Sequence, residues 1–171
     1  PRRRELLAGL DIEFTVDTRN TFEENYDPNT PHEKVPALMS EGKSMGFWRE
    51  LEENEILITS DTMVLCGDKI MGKPQDREDA IKMIKSLSGR EHHVITAVTV
   101  RDKNQMKTVC DKASVWFKDL TDKEIEYYIE KYGPFDKAGA YGIQEWIGYI
   151  GITKIEGSFF NIMGLPVHVV Y

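Results

Sequence analysis

Asp61 follows "ILITS", a largely apolar run that reads as a strand, so the strand delivers an acid to its end. Ligands of open α/β sheets sit beyond the carboxyl ends of the strands, and an acid there can bind a metal or orient a water. The same aspartate can also simply cap the turn after a strand. Lys73 follows a second short strand in "GKP"; lysine is a compact point charge suited to a phosphate, or else a solvated turn residue. Arg2, Arg3 and Arg4 precede a helical pattern, and arginine grips phosphate oxygens bidentately, although a basic stretch is often only solvated. Lys43 falls in mid-helix, where a lysine is ordinarily solvated. Glu23 and Glu24 lie in a polar loop, from which a carboxylate can join Asp61 around Mg²⁺.

"DKAGAYGIQ" is the densest candidate. Small residues at 138–140 and Gly142 let the backbone approach a ligand closely. Asp136, Lys137 and Gln144 add charge and an amide able to read a base edge. His92 and His93 have no partner at metal-ligand spacing. Nucleophile elbows, Walker loops and zinc spacings are missing from the sequence.

The elements that must position these residues follow from the patterning. "RRRELLAGL" predicts a short helix, "DIEFTV" an alternating strand, and "TRNTFEENYDPNTP" a loop. A helix starts near Pro31 or Pro36, with Thr30 and Glu33 available as a capping box. "EILITSDTMVLC" is the strongest strand, apolar on both faces and so expected at the centre of the sheet. Gly67-Asp68 turns into a short strand. Asp76 and Asp79 open a helix that buries Ile81, Ile84 and Leu87 and stops at Gly89. "HHVITAVTV" and "MKTVCDKASVWF" form a hairpin. Thr121 and Glu124 form a capping box, and the helix ends at Gly133-Pro134. Strands are expected again at "YIGITKIEG" and "PVHVVY", and "EGSFFNIMGLP" reads as a tight loop with core aromatics. The fold class is therefore α/β, in the mixed α+β sense, with helices on the faces of a sheet.

Composition sets bounds. The 171 residues suffice for one domain with a core, 40% hydrophobic and 30% charged. The net charge of −7 disfavours non-specific binding to nucleic-acid polymers or acidic membranes, so a polyanion site must be built locally. No apolar run approaches the roughly 20 residues that span a bilayer. Cys66 and Cys110 are expected as buried, reduced thiols of a cytoplasmic protein, and Trp48, Trp116 and Trp146 as core or rim residues.

Together these segments resemble the Maf family of nucleotide pyrophosphatases, once described as septum-formation inhibitors. "PRRRELL" at residues 1–7 matches that family's "Ser-Pro-Arg-Arg-x-Glu-Leu-Leu". The loop acid matches Glu24, with Glu23 adjacent, and the helix lysine falls on Lys43, followed here by Ser44 in place of alanine. Asp61-Thr62, "GKP" with Lys73, "LSGREHHVITAV", "DKAGAYGIQ" and "GSFFNIMGLP" complete the pattern over nearly the whole chain. The family's first strand, the serine before the proline and its C-terminal helix have no counterpart, as expected of a domain at 1–171 truncated or disordered at both ends.

The resemblance implies an elongated central mixed sheet flanked by helices, with a cleft between two lobes, akin to the inosine triphosphate pyrophosphatases. It implies hydrolysis of a nucleoside triphosphate to the monophosphate and pyrophosphate. In that scheme Asp61 is general base, and Glu24 and Asp61 hold Mg²⁺ or Mn²⁺. Arg3, Lys43 and Lys73 stabilise the phosphates, Lys73 as a catalytic residue, while Asp136 and Lys137 shape the cleft floor. Arg2, Thr62 and Gln144 match the family arm that acts on dTTP and UTP; the arm acting on 7-methyl-GTP has Gln after the acid and Glu in place of the last Gln. A homodimer is also implied. Two competing roles are a nucleotide-binding regulator of septum formation without catalysis, and a phosphatase using Asp61 as nucleophile, which would lack the second aspartate of the Asp-x-Asp pattern.

Overall fold

A computed structural model describes residues 2–171; Pro1, part of the expected phosphate-binding segment, lies outside the described residues. Its centre is a five-stranded sheet made of β1 (Leu57–Cys66), β2 (Lys69–Met71), β3 (Glu91–Arg101), β4 (Met106–Phe117) and β5 (Ile152–Glu156). The order is β2-β1-β3-β4-β5, and every pairing is antiparallel. The class is the expected mixture of helices and sheet, but the sheet is wholly antiparallel rather than mixed. β3 is its central strand, not β1.

Alternation along β1 divides the core. Met63 and Leu65 join Val35, Met39 and Ile95 under α2 (Val35–Met45). Val64 and Cys66 join Ile84, Leu87, Ile125 and Tyr128 of α3 (Arg77–Leu87) and α4 (Asp122–Tyr132) on the opposite face. Successive side chains of a strand point to opposite faces, so Asp61 belongs to the α2 side and Thr62 to the other. β2 covers only Val64–Cys66, leaving β1 from Leu57 to Met63 without a strand partner on its outer edge among the described residues.

The caps explain most helix limits. Asp76 accepts from the Asp79 amide at the start of α3, and Thr121 and Glu124 form the full capping box of α4. Gly89 and Gly133 end the two helices with positive φ. Pro36 takes a first-turn position of α2, and the Thr30–Glu33 box does not form; a single 3₁₀ turn, His32–Lys34, precedes the helix instead.

Other expectations fail. Asp61 does not end its strand: it pairs with Ala97 in mid-ladder, because Thr62 to Leu65 continue the register against β3. "DIEFTV" is irregular: Ile12 and Val16 are exposed, Phe14 is half-buried, and among the described residues the nearest bridge is that of Asn20 with Phe47. "PVHVVY" contains helix α7 (Val167–Val170), whose first turn closes on the Pro166 carbonyl; local bonding overrides the β-branched preference. "SFFNIM" holds helix α6 (Phe159–Met163), capped by Ser158, with Asn161 and Ile162 buried and both phenylalanines exposed. Helices α1 (Arg2–Ala8) and α5 (Trp146–Gly151) complete the chain, α5 taking the residues before Ile152 that were expected in a strand. Cys66 is buried and Cys110 exposed, both free. Trp48 is exposed rather than core. No helix among the described residues is long and apolar enough to cross a membrane.

His92 is buried in the larger core, stacked on Phe117 and hydrogen-bonded through Nε2 to the Tyr141 hydroxyl. Burial, with the nearby His93 as a lesser cause, pulls its pKa down from 6.5 to about 3. A histidine held neutral in the fold binds more protons when unfolded. Its contribution is therefore intact above pH 6.5 and is lost as pH falls toward 3. Denaturant titrations of wild type and His92→Gln should diverge in slope over that window by about 1.4 kcal/mol per pH unit, one proton's worth. Parallel pH profiles would show that His92 charges freely in the fold.

Candidate active site

Lys43 carries one group of charged side chains. Its ammonium lies 2.9 Å from Asp61 Oδ1 and 3.2 Å from Glu24 Oε1. The mid-helix lysine is thus not a solvated one: its side chain is 23% exposed, Asp61's is 19% exposed, and Glu24's is 61% exposed. α2 aims Lys43 along the sheet because Ser40, one turn earlier, docks the helix on β1. The Ser40 hydroxyl donates to the Thr59 carbonyl, and the Thr59 hydroxyl donates back to the Ser40 carbonyl. The loop acid arrives by a separate device. Asn20 donates to the Lys43 carbonyl, and the end of the Phe22 ring packs on α2 where a Cβ on Gly42 would overlap it. This places Glu24, not Glu23, against Lys43.

Arg3 approaches from α1. Its Nη2 donates to Thr62 Oγ1 at 3.1 Å and its Nε to the Gly164 carbonyl at 2.9 Å. Burial lowers its pKa, opposed by the charges of Asp61 and Glu24; the guanidinium remains charged. The Thr62 hydroxyl is committed within the protein. Thr96 Oγ1 donates to the Asn161 carbonyl, so across the 2.9 Å contact between the two threonines Thr62 is the donor, while it accepts from Arg3. A donor chain Arg3→Thr62→Thr96→Asn161 fixes the arginine.

A second group forms on the Thr62–Val64 face of β1. Gly139 and Ala140 both have positive φ, and this turn brings the Gly139 amide to the Gly72 carbonyl, 3.1 Å away. Two left-handed residues in succession, one of them a fully buried alanine, store strain in this turn. The bond sets exposed Lys73 beside the 137–140 segment. Gly139 also packs on Val64 of β1 so closely that a Cβ would lie 3.1 Å from it. Lys137 pairs with Asp136 at 3.0 Å and lies 3.6 Å from Glu145. The Arg2 charge bears on Asp136, on Tyr128 and also on Arg3, whose own positive charge Asp61 favours. Gln144 Oε1 is buried with no hydrogen-bond partner among the described residues.

All ten expected residues therefore fall into two clusters. Glu24, Lys43 and Asp61, with Arg3 and Thr62, form one. Arg2, Lys73, Asp136, Lys137 and Gln144 form the other. Four partners went unpredicted: Thr96 and Asn161 behind Arg3, and Tyr128 and Glu145 behind Lys137. Tyr128 was legible only as a core position of α4, and Glu145 only as the neighbour of Gln144.

A family model described as Maf-like protein matches residues 1–171, the whole chain. The chain belongs to the Maf family. Its relatives include a dTTP/UTP pyrophosphatase of Christiangramia forsetii, 49% identical over 171 residues, and one of Flavobacterium johnsoniae, 47% identical over 171. One of Porphyromonas gingivalis is 46% identical over 173. Each alignment takes in all of this Maf chain and 87% or 88% of the relative. What the Maf fold contributes is the half-covered strand: it holds an acid at a sheet edge with cations of α1 and α2 on either side.

Proposed function

We propose that this chain is a nucleoside triphosphate pyrophosphatase acting on dTTP and UTP, releasing the nucleoside monophosphate and pyrophosphate. The observation that carries the reading is Asp61, held by Lys43 on an open strand edge with Arg3 alongside. The names of the relatives support it. Water attacks the α-phosphorus, Asp61 takes its proton, and the bond to the bridging oxygen breaks so that pyrophosphate departs with the electron pair. In this reading Arg3 and Lys43 meet the charge that develops on the phosphate oxygens, and such preorganised charge is the larger part of phosphoryl-transfer catalysis. Lys73 adds charge from the second cluster. An intact acid with its cations favours an enzyme over a binding-only regulator of septum formation.

Among the described residues no cluster of three or more His, Cys, Asp or Glu is arranged for a metal. Asp61 and Glu24 nevertheless converge on one ammonium. Two carboxylates, completed by phosphate oxygens and water, are the donor set that Mg²⁺ takes, so the residues fit Mg²⁺ or Mn²⁺ shared with the substrate. When bound, the ion would neutralise and orient the phosphates. We further infer a cytoplasmic homodimer, as the family resemblance implies; sedimentation equilibrium tests the dimer.

Gln144 supports the substrate class. Its amide offers a donor and an acceptor, the pair that the imide edge of thymine or uracil requires, and its oxygen has no partner among the described residues. Losing one such contact costs about 1–3 kcal/mol. Gln144→Glu should therefore lower kcat/KM for dTTP and UTP by about tenfold or more, 1.4 kcal/mol being one decade. The test is product identification over a panel of dTTP, UTP, GTP, ATP and 7-methyl-GTP, with wild type and Gln144→Glu. Preference for 7-methyl-GTP, or a ranking untouched by the substitution, would sink the pyrimidine assignment. Orthophosphate in place of pyrophosphate would sink the reaction itself.

A further inference from the structure

Glu145 and Tyr128 stand behind the second cluster without touching the open edge of β1. Tyr128 is wholly buried in the core beneath α4. Its hydroxyl donates to Glu145 Oε1 at 2.8 Å and accepts from the Gly142 amide at 3.0 Å. Burial, reinforced by the Glu145 charge, raises the pKa of this phenol well above the usual tyrosine range, so it keeps the proton that the bond to Glu145 needs. The same carboxylate oxygen lies 3.6 Å from Lys137 Nζ. Lys137 and Glu145 are 12% and 18% exposed, so this pair is sheltered, whereas Asp136, the other partner of Lys137, is 70% exposed. The space over Gly142 gathers these groups. A Cβ there would stand 2.6 Å from Glu145 Oε1, 3.1 Å from Lys137 Cε and 3.2 Å from Gln144 Oε1.

We propose that Glu145 and Tyr128 are positioning residues that hold Lys137 and the Gly142–Gln144 backbone in the geometry that receives the pyrimidine nucleotide. Tyr128 ties the loop to the rigid face of α4 through one backbone donor and one carboxylate, and Glu145 relays that fixed point to the ammonium of Lys137. A loose supporting shell costs a site its geometry even when the contacting residues are intact. This inference rests on the pyrophosphatase reading for the identity of the nucleotide.

The sign of the Glu145→Gln effect separates positioning from simple charge. Glutamine still accepts from Tyr128 but no longer attracts Lys137. Removing a negative charge near a polyanionic ligand should by itself tighten binding. Positioning predicts the reverse. Tyr128→Phe tests the other contact with no change of charge, leaving the Gly142 amide without its acceptor.

Titration calorimetry with α,β-imido-dTTP and α,β-imido-GTP, which resist cleavage at the α–β bridge, reads affinity apart from turnover. Glu145→Gln should raise the Kd for the dTTP analogue about fivefold or more and narrow its preference over the GTP analogue. Tyr128→Phe, assayed well below its melting temperature, should do the same. A Glu145→Gln protein that binds the dTTP analogue with less than that loss, or more tightly, overturns the proposal whether or not Tyr128→Phe folds. A wild type that binds the analogue but releases no pyrophosphate from dTTP defeats the reaction reading alone. A wild type that binds no analogue defeats both.

Discussion

Asp61→Asn should lose about 10²-fold or more in kcat for pyrophosphate release, the usual scale for a general base, while its melting temperature changes little. The substitution keeps the size of the side chain and its place opposite Ala97 in the β1–β3 ladder. It removes the charge that Lys43 meets at 2.9 Å and the charge that opposes the burial of Arg3. Binding of an uncleavable nucleotide should survive, because Arg3, Lys43 and Lys73 keep their charges. Near wild-type turnover, checked by a coupled pyrophosphate assay, would remove Asp61 from the mechanism.

Lys43→Met should be as damaging, by about 10²-fold in kcat/KM, the magnitude seen when one preorganised donor is taken from a transition state. Here the loss has two parts. The α-phosphate loses a cation, and Asp61 and Glu24 are left facing each other without the ammonium that now lies between them. Stability should fall by more than the ~1 kcal/mol of an exposed pair, since Lys43 and Asp61 are only 23% and 19% exposed and removing one partner leaves the other uncompensated. Lys43→Arg should not restore full activity, because a planar fork cannot replace a point charge contacted from two sides. Steady-state kinetics beside thermal melts decide it. A Lys43→Met protein that melts early yet keeps its specific activity would make the lysine a structural residue only.

The sequence already carried the capped helices, the long hairpin and the short turn into β2. Those features are local: a cap three residues from its partner, a glycine with positive φ, an uninterrupted apolar run. What escaped was non-local. Asp61 read as a strand terminus because Ser60 and Thr62 interrupt the apolar run; both instead bond across the ladder, Ser60 to the Ala97 carbonyl and Thr62 to Thr96. The acid reaches solvent because β2 is only three residues long and leaves that edge open, which depends on pairing and not on composition. "DIEFTV" alternates as a strand should, yet the described sheet offers it no partner. Arg3 and Glu24 were legible from residue type only as candidates beside Arg2, Arg4 and Glu23, and were singled out only by the family resemblance. Their physical basis, Gly164 and Thr62 for one and Phe22 on Gly42 for the other, comes from residues far apart in the chain. Tyr128 and Glu145 could not be found from spacing, since a buried helix tyrosine and a loop acid look the same whether or not they meet.

The position of bond cleavage bears most directly on the central claim that Asp61 drives water onto the α-phosphorus. Hydrolysis of dTTP in ¹⁸O-enriched water, followed by mass spectrometry of both products, reads it in one experiment. Attack at the α-phosphorus places the label in the monophosphate and leaves pyrophosphate unlabelled. Label in the pyrophosphate, or release of labelled orthophosphate, would contradict the account.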